Sequence, residues 1–154
     1  MKEMRRADRR LPDERAREIL RDGEYGILCT CASNEPLGTP LSYVFDGEYI
    51  WIHGAREGLM RSNLSENPRV SFTVVGDTEI LPDRYITLYE SVIVKGVAEL
   101  CSGDYVMEGL ILITRKYCPV VEDGGRGFAE RSLDRVSVYR IKVDEISGKG
   151  RLTR

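Results

Sequence analysis

Between Tyr49 and Val75 the side-chain pattern changes period twice, and that change leaves few folds open to the chain. Tyr49-Ile-Trp-Ile52 is aromatic and β-branched, as a buried strand requires. His53, Gly54, Ala55 and Arg56 follow directly and bring small side chains, free backbone N–H groups and positive charge. A short helix is predicted over residues 57–66, ended by Asn67-Pro68 because proline disfavours the helical region for the residue before it. The first-turn amides and dipole of such a helix attract anions, and Gly54 and Gly58 let a ligand approach the backbone closely. Strand, glycine-hinged turn, helix and strand in this order make a candidate phosphate site.

The rest of the chain is mostly strand. An opening helix is predicted over residues 12–21, with Pro12 in its first turn, Ala16, Ile19 and Leu20 on one side and Gly23 as its stop. Strands are predicted over residues 25–32, 38–45 and 49–53, the last two joined by a hairpin at Asp46-Gly47. Two more cover 69–75, where Val70, Phe72 and Val74 share a face, and 85–100, which is long enough to need a bend or bulge near Gly96. A last strand spans 136–143, and residues 146–151 read as a tail. Ser102 is expected to cap a helix over 103–117. That helix is apolar on more than one side, so one side is expected to pack on the barrel and the other on a second copy of the chain. Val121 to Asp134 is expected to be a mobile loop; its Gly124-Gly-Arg-Gly127 run lacks dinucleotide-fingerprint spacing. Six strands in hairpin order with two inserted helices imply a closed, mainly β antiparallel architecture.

Composition excludes several classes. The 154 residues suit one domain, with residues 1–11 as a basic, mobile arm. Lys plus Arg number 23 against 25 Asp plus Glu, and a net charge of −2 gives no general attraction to nucleic acid or an anionic membrane. The basic residues from Lys2 to Arg21 are interrupted by acids and read as a solvated face. With no span-length apolar stretch and no secretory signal pattern, the protein is expected to be cytoplasmic. The cysteines at 29, 31, 101 and 118 are read as reduced, and no metal site is expected. No Ser-His-Asp set, carboxylate pair or P-loop can be assembled, so any redox chemistry belongs to a cofactor. His53, the single histidine, can serve either a ligand or neighbouring backbone groups.

The His53-Gly54-Ala55 turn, the Asn67-Pro68-Arg69-Val70 step, the Tyr89-Glu-Ser-Val-Ile-Val-Lys-Gly96 strand and the terminal Ser147-Gly148-Lys149 resemble the FMN-binding split-barrel flavoproteins. Within them the chain looks most like the branch related to pyridoxamine 5'-phosphate oxidase that includes nitroimidazole-resistance proteins. The resemblance covers roughly residues 12–151 and implies a six-stranded antiparallel Greek-key split barrel, and a homodimer with FMN at the interface. It places Pro40, Leu41, Ser42 and Tyr43 along the isoalloxazine ring, their backbone groups facing its polar rim. Ile52, His53, Gly54 and Ala55 fall beside the ribityl phosphate, Arg56, Gly58 and Arg61 around that phosphate, and Ser91 and Lys149 near the interface. His53 is the residue it places in a catalytic role. Relatives commonly carry basic residues where this chain has Leu59 and Met60. A lost charge-assisted hydrogen bond costs about 1.5–3 kcal/mol, so FMN is held weakly or by Arg56 and Arg61 instead. The implied function is an FMN-dependent oxidoreductase, passing electrons from NADH or NADPH to a small nitro compound or quinone. The alternatives are a non-catalytic FMN or haem carrier or sensor, and a deazaflavin-dependent reductase.

Overall fold

The structure, a computed structural model, describes residues 4–120 and 123–152; Lys2 of the arm and Val121 of the expected loop lie outside them. Seven strands form one antiparallel sheet: β1 (Gly26–Ala32), β2 (Glu35–Leu41), β3 (Tyr43–Phe45), β4 (Tyr49–Ala55), β5 (Arg69–Leu81), β6 (Ile86–Leu100) and β7 (Val136–Arg151). Among the described residues four α-helices accompany them, α1 (Asp13–Asp22), α2 (Leu59–Glu66), α3 (Asp104–Tyr117) and α4 (Arg126–Ser132), with two short 3-10 turns at Ala7–Arg9 and Pro82–Arg84. The strand order is β2-β1-β5-β6-β7-β4-β3. Consecutive strands β2 and β3 therefore occupy opposite edges, and the sheet must curl until those edges meet at Ser42. This is a split barrel, mainly β.

Two expectations about it are corrected. There are seven strands rather than six, and the barrel is joined at Ser42 by the chain itself rather than closed by strand pairing. Pro40 has no N–H to offer, and the Tyr43 N–H donates to the Tyr117 hydroxyl at 2.9 Å, so the edge strand breaks between them. The long strand does carry an irregularity at Gly96. Lys95 pairs with Glu145 and Gly96 with Val143, leaving Asp144 as the extra residue on β7. A Cβ at Gly96 would collide with the carbonyl of Lys142.

The tail expected after residue 143 is instead the second half of β7, paired with β6 as far as Arg151. Its glycines make a seat for the arm: Cβ atoms at Gly148 and Gly150 would lie 3.0 Å and 2.9 Å from Leu11 side-chain atoms. Leu11 is buried there, its N–H donates to the Gly148 carbonyl at 3.1 Å, and Arg10 bridges to Lys149. The arm thus takes the free edge of β7 beyond the reach of β4.

Residues 126–132 of the expected loop are helical. The carboxylate of Asp123 accepts from the N–H groups of Gly125 and Gly127, both at 2.8 Å, and Gly125 takes a φ of 84°. Ala129 then packs among Leu110 and Ile113 of α3. Ser102 does not cap α3; the cap position is Gly103, at φ 57°. Residues 76–81, beyond the strand expected over 69–75, extend β5.

The core is in two parts. Inside the barrel, Leu28, Ile52, Phe72, Val92, Val94 and Ile141 are fully buried beneath α1. On the outside of β4 and β7, α3 closes over Trp51 and Val138, and Gly109 allows it: a Cβ there would sit 2.7 Å from Val138 and 2.8 Å from Trp51.

One ion pair ties α1 to the sheet. Arg15 donates to both oxygens of Glu90 at 2.9 Å and 2.5 Å, and Glu90 is buried. The guanidinium holds the Glu90 carboxyl below its ordinary range. Its contribution is therefore complete above the unfolded-state value of about 4.3 and is lost as pH falls through the lower folded-state value. Glu90→Gln is expected to cost about 2–3 kcal/mol at pH 7, less than the roughly 3–5 kcal/mol of a fully buried pair because Arg15 is partly exposed. In urea titrations the deficit should shrink as the pH is lowered below about 4; an unchanged deficit would mean the pair is not its source.

Candidate functional site

The residues marked out by the sequence fall into three groups. The first is the mouth formed by the end of β4 and the start of α2. His53, Gly54 and Ala55 run antiparallel to Val138, Ser137 and Val136. Gly58, at φ 115°, turns the chain into α2, whose first amides have no side-chain cap. Asn63 and Asn67 fasten α2 to β1 through Thr30 Oγ1 at 3.0 Å and the Cys31 carbonyl at 2.9 Å. At Gly54 a Cβ would meet only the flexible methyl end of Met60, which can swing aside.

Two cations stand at this mouth. Arg56 donates to the Leu133 carbonyl at 2.9 Å and Arg61 to Ser137 Oγ at 2.7 Å. Both line a cleft of about 220 Å³ whose walls include Leu133, Ser137 and Val138 but no acidic residue. Each guanidinium has five N–H donors, and one of them is used here in each case, so both retain capacity for an anion.

His53 comes two residues after Trp51 on β4 and so shares its outer, α3-facing side. Its Nδ1 is the one enclosed side-chain polar atom among the described residues that has no hydrogen-bond partner. Burial pushes the imidazole pKa below its ordinary value, so the ring is neutral at pH 7. A neutral imidazole has one N–H and one bare nitrogen, so the ring offers a ligand one donor and one acceptor. Nδ1 carries a desolvation cost that no protein group among the described residues offsets. The two arginines of this cleft, one of them in the first turn of α2, suit an anion-bearing ligand.

The second group is Ser91 and Lys149, register partners across β6 and β7, where Ser91 Oγ donates to the Lys149 carbonyl at 3.4 Å. They line a larger cleft of about 680 Å³ roofed by Met4, Ala7 and Arg10. Lys149 is eleven residues further along β7 than Val138, the partner of His53. At 3.2–3.4 Å per residue that is roughly 35 Å of strand. One chain does not bring these two groups together.

The third group is the crossing from β2 to β3. Pro40 and Ser42 are exposed and Leu41 is half-buried. Tyr43 is different: its ring is buried edge-on to Phe72 at 4.8 Å, and its hydroxyl donates to the Leu20 carbonyl at 2.6 Å. Both backbone polar groups of Tyr43 meet the Tyr117 hydroxyl, at 2.9 Å and 3.0 Å. Ile52 is also fully buried in the core. The side chains of Tyr43 and Ile52 therefore build the barrel, and surface backbone at this crossing is offered by Pro40, Leu41 and Ser42.

Sequence reasoning passed over Ser137, Arg10 and Tyr117. Ser137 and Tyr117 lie 76 and 74 residues from the side chain or strand they engage, a distance at which local pattern carries no signal. For Arg10 the signal existed in the alternation of Gly148, Lys149 and Gly150, which suits a strand seated against something bulky.

Among the described residues no group of three or more His, Cys, Asp or Glu side chains is placed to hold a metal, and all four cysteines are free. No helix of the described residues is long and apolar enough to cross a membrane.

Comparison with known proteins follows the same lines. A conserved hypothetical protein of Mycobacterium tuberculosis superposes with a TM-score of 0.79 at 21% identity, over 96% of this chain and 90% of that one. A 5-nitroimidazole antibiotic resistance protein of Bacteroides thetaiotaomicron gives 0.76 at 17% identity, over 92% and 86%. An FAD- and haem-binding protein of Mycobacterium smegmatis gives 0.75 at 17%, over 90% and 71%. At these identities the likeness is one of fold. No curated protein matches the sequence. The pyridoxamine 5'-phosphate oxidase family matches it over residues 12–150, nearly its full length, and the chain belongs to that family.

Proposed function

We propose that the protein is a flavin-dependent oxidoreductase that works as a homodimer, with FMN bound where two chains meet. The observation that carries this reading is the acid-free cleft walled by Arg56 and Arg61 at the mouth of β4 and α2, whose lining includes Val138, the register partner of His53. The spare guanidinium donors of Arg56 and Arg61 and the first amides of α2 would hold the terminal phosphate of FMN, and the His53 imidazole at the strand end would hydrogen-bond to the cofactor. Held there, a flavin would supply hydride- and electron-transfer chemistry between a nicotinamide donor and an acceptor such as a nitro compound or quinone. The protein's part is to hold, orient and cover the ring.

The separation of Ser91 and Lys149 from His53 supports a shared site, because a second chain can supply the missing half. Relatives in fold include a protein named for FAD and haem. FMN is favoured here because the arginines suit one terminal phosphate.

The absorption spectrum of the purified protein, with mass analysis of what is released on denaturation, is the direct test. Flavin bands and FMN support the reading; haem, a deazaflavin or a colourless protein overturn the cofactor. Turnover with NADH or NADPH then separates an enzyme from a carrier.

Two variants probe the mouth. Leu59 is 72% exposed at the start of α2, so Leu59→Arg adds a cation without disturbing packing. FMN affinity at low salt should rise about tenfold, the value of one charge-assisted hydrogen bond. Unchanged affinity would place the phosphate elsewhere. His53→Asn should keep the fold and weaken FMN retention; a variant that loses only thermal stability would make the histidine structural.

A further inference from the structure

The crossing from β2 to β3 stands beside His53. The β1–β2 ladder ends at the pair of Leu41 with Gly26, and the β3–β4 ladder begins at the pair of Tyr43 with Ile52. Ser42 belongs to neither. One step beyond Tyr43 and Ile52 in that antiparallel register it falls opposite His53, and it is exposed.

A stretch that no ladder holds needs another constraint, and here it comes from the far end of α3. The Tyr117 hydroxyl accepts the N–H of Tyr43 at 2.9 Å and offers its own proton to the carbonyls of Glu24 at 2.6 Å and Tyr43 at 3.0 Å. One oxygen thereby ties the end of α3 to the approach to β1 and to the start of β3. Lys116 adds a second tie one residue earlier. Its ammonium donates to the Gly23 carbonyl at 2.7 Å and stands 4.0 Å from the centre of the Tyr43 ring. Neither residue lines the cleft of Arg56 and Arg61.

We propose that Tyr117 is a positioning residue for the flavin: its hydroxyl fixes the β2–β3 crossing, and with it the Ser42 backbone, in place beside His53. The proposal rests on the reading that His53 hydrogen-bonds to the cofactor. The two arginines act at the phosphate end of that cofactor, and Tyr117 acts at the ring end through the backbone it holds. Without the hydroxyl, the N–H and C=O of Tyr43 turn to water, and the crossing keeps only the anchor of the Tyr43 ring and hydroxyl in the core. Hydrogen bonds weaken steeply once donor and acceptor fall out of line, so a crossing free to shift serves the ring poorly.

The test is Tyr117→Phe, which keeps the aromatic ring and removes the oxygen. Amide hydrogen exchange on the purified protein reads the crossing directly: relative to the amide of Phe72, that of Tyr43 should exchange at least tenfold faster in the variant. After removal of the flavin, affinity for FMN and for riboflavin, which has the ring without the phosphate, should fall by the same factor, about tenfold. Ile141→Val, which trims a fully buried side chain inside the barrel, is the control for stability; it should lower Tm and leave both affinities as they are. Unchanged exchange at Tyr43 overturns the proposal, since the hydroxyl then holds nothing. So does a loss of stability with both affinities intact, which would make Tyr117 a structural brace alone. A loss confined to FMN also overturns it, because the crossing would then serve the phosphate. A parent protein that binds neither FMN nor riboflavin defeats the proposed function and this inference with it, whereas a parent that binds both and a variant that equals it defeat this inference alone.

Discussion

Arg61→Glu should strip the protein of flavin while leaving it folded. Arg61 reaches Ser137 at 2.7 Å and shares an acid-free cleft with Arg56, so the substitution removes a donor and places a carboxylate against the proposed phosphate. Each charge-assisted hydrogen bond lost costs about 1.5–3 kcal/mol, and like-charge repulsion adds to it, so affinity should fall about a thousandfold or more. The fold loses one hydrogen bond of Ser137, about 1 kcal/mol. FMN titration and thermal unfolding, measured together, check both halves. A variant that binds FMN like the parent would show that the phosphate does not use this cleft.

Phe72→Ala is the packing counterpart and should be the most destabilising single change in the barrel. Phe72 is fully buried, meets Tyr43 edge-on at 4.8 Å, and lies so close to β1 that a Cβ at Gly26 would strike its ring. Neighbours built around the ring cannot collapse into the space it leaves. The expected cost is about 3–5 kcal/mol, the range for deleting a buried phenyl ring, or roughly 10 °C or more in Tm for a chain of this size. Urea unfolding decides it: a cost below about 1.5 kcal/mol would mean the sheet relaxes around the cavity.

How far such features were legible depends on the range of the forces behind them. The alternation of Tyr49 to Ile52, the Asp46-Gly47 hairpin and the bounds of α1 are local, and they stand in the structure at or within a residue or two of where the sequence puts them. Asp46 even supplies the reason, accepting from the N–H groups of Glu48 and Tyr49 at 2.8 Å and 2.7 Å. The second half of β7 was not legible because Gly148 and Gly150 weaken a strand by propensity, and only pairing with β6 and the seating of Leu11 reverse that. The helix at 126–132 was hidden by three glycines at its start, which Asp123 organises by capping. At the candidate site the passage from strand through His53 and Gly58 into a short helix was readable, because its signals are local. That Tyr43 spends its backbone on Tyr117, and that the arm roofs a cleft, depend on contacts made across the whole fold.

The central claim is that one flavin draws on two chains, and mixed dimers test it directly. Arg61→Glu and Lys149→Glu chains, carried on different tags and coexpressed, yield a mixed dimer in which one site keeps both native residues and the other has lost both. Each variant alone should purify without flavin. If the site is shared, the mixed dimer holds about half the flavin of the parent protein, as two-fold symmetry requires. If the mixed dimer is as empty as either variant alone, Arg61 and Lys149 serve a site within one chain, and the account of a shared flavin is wrong.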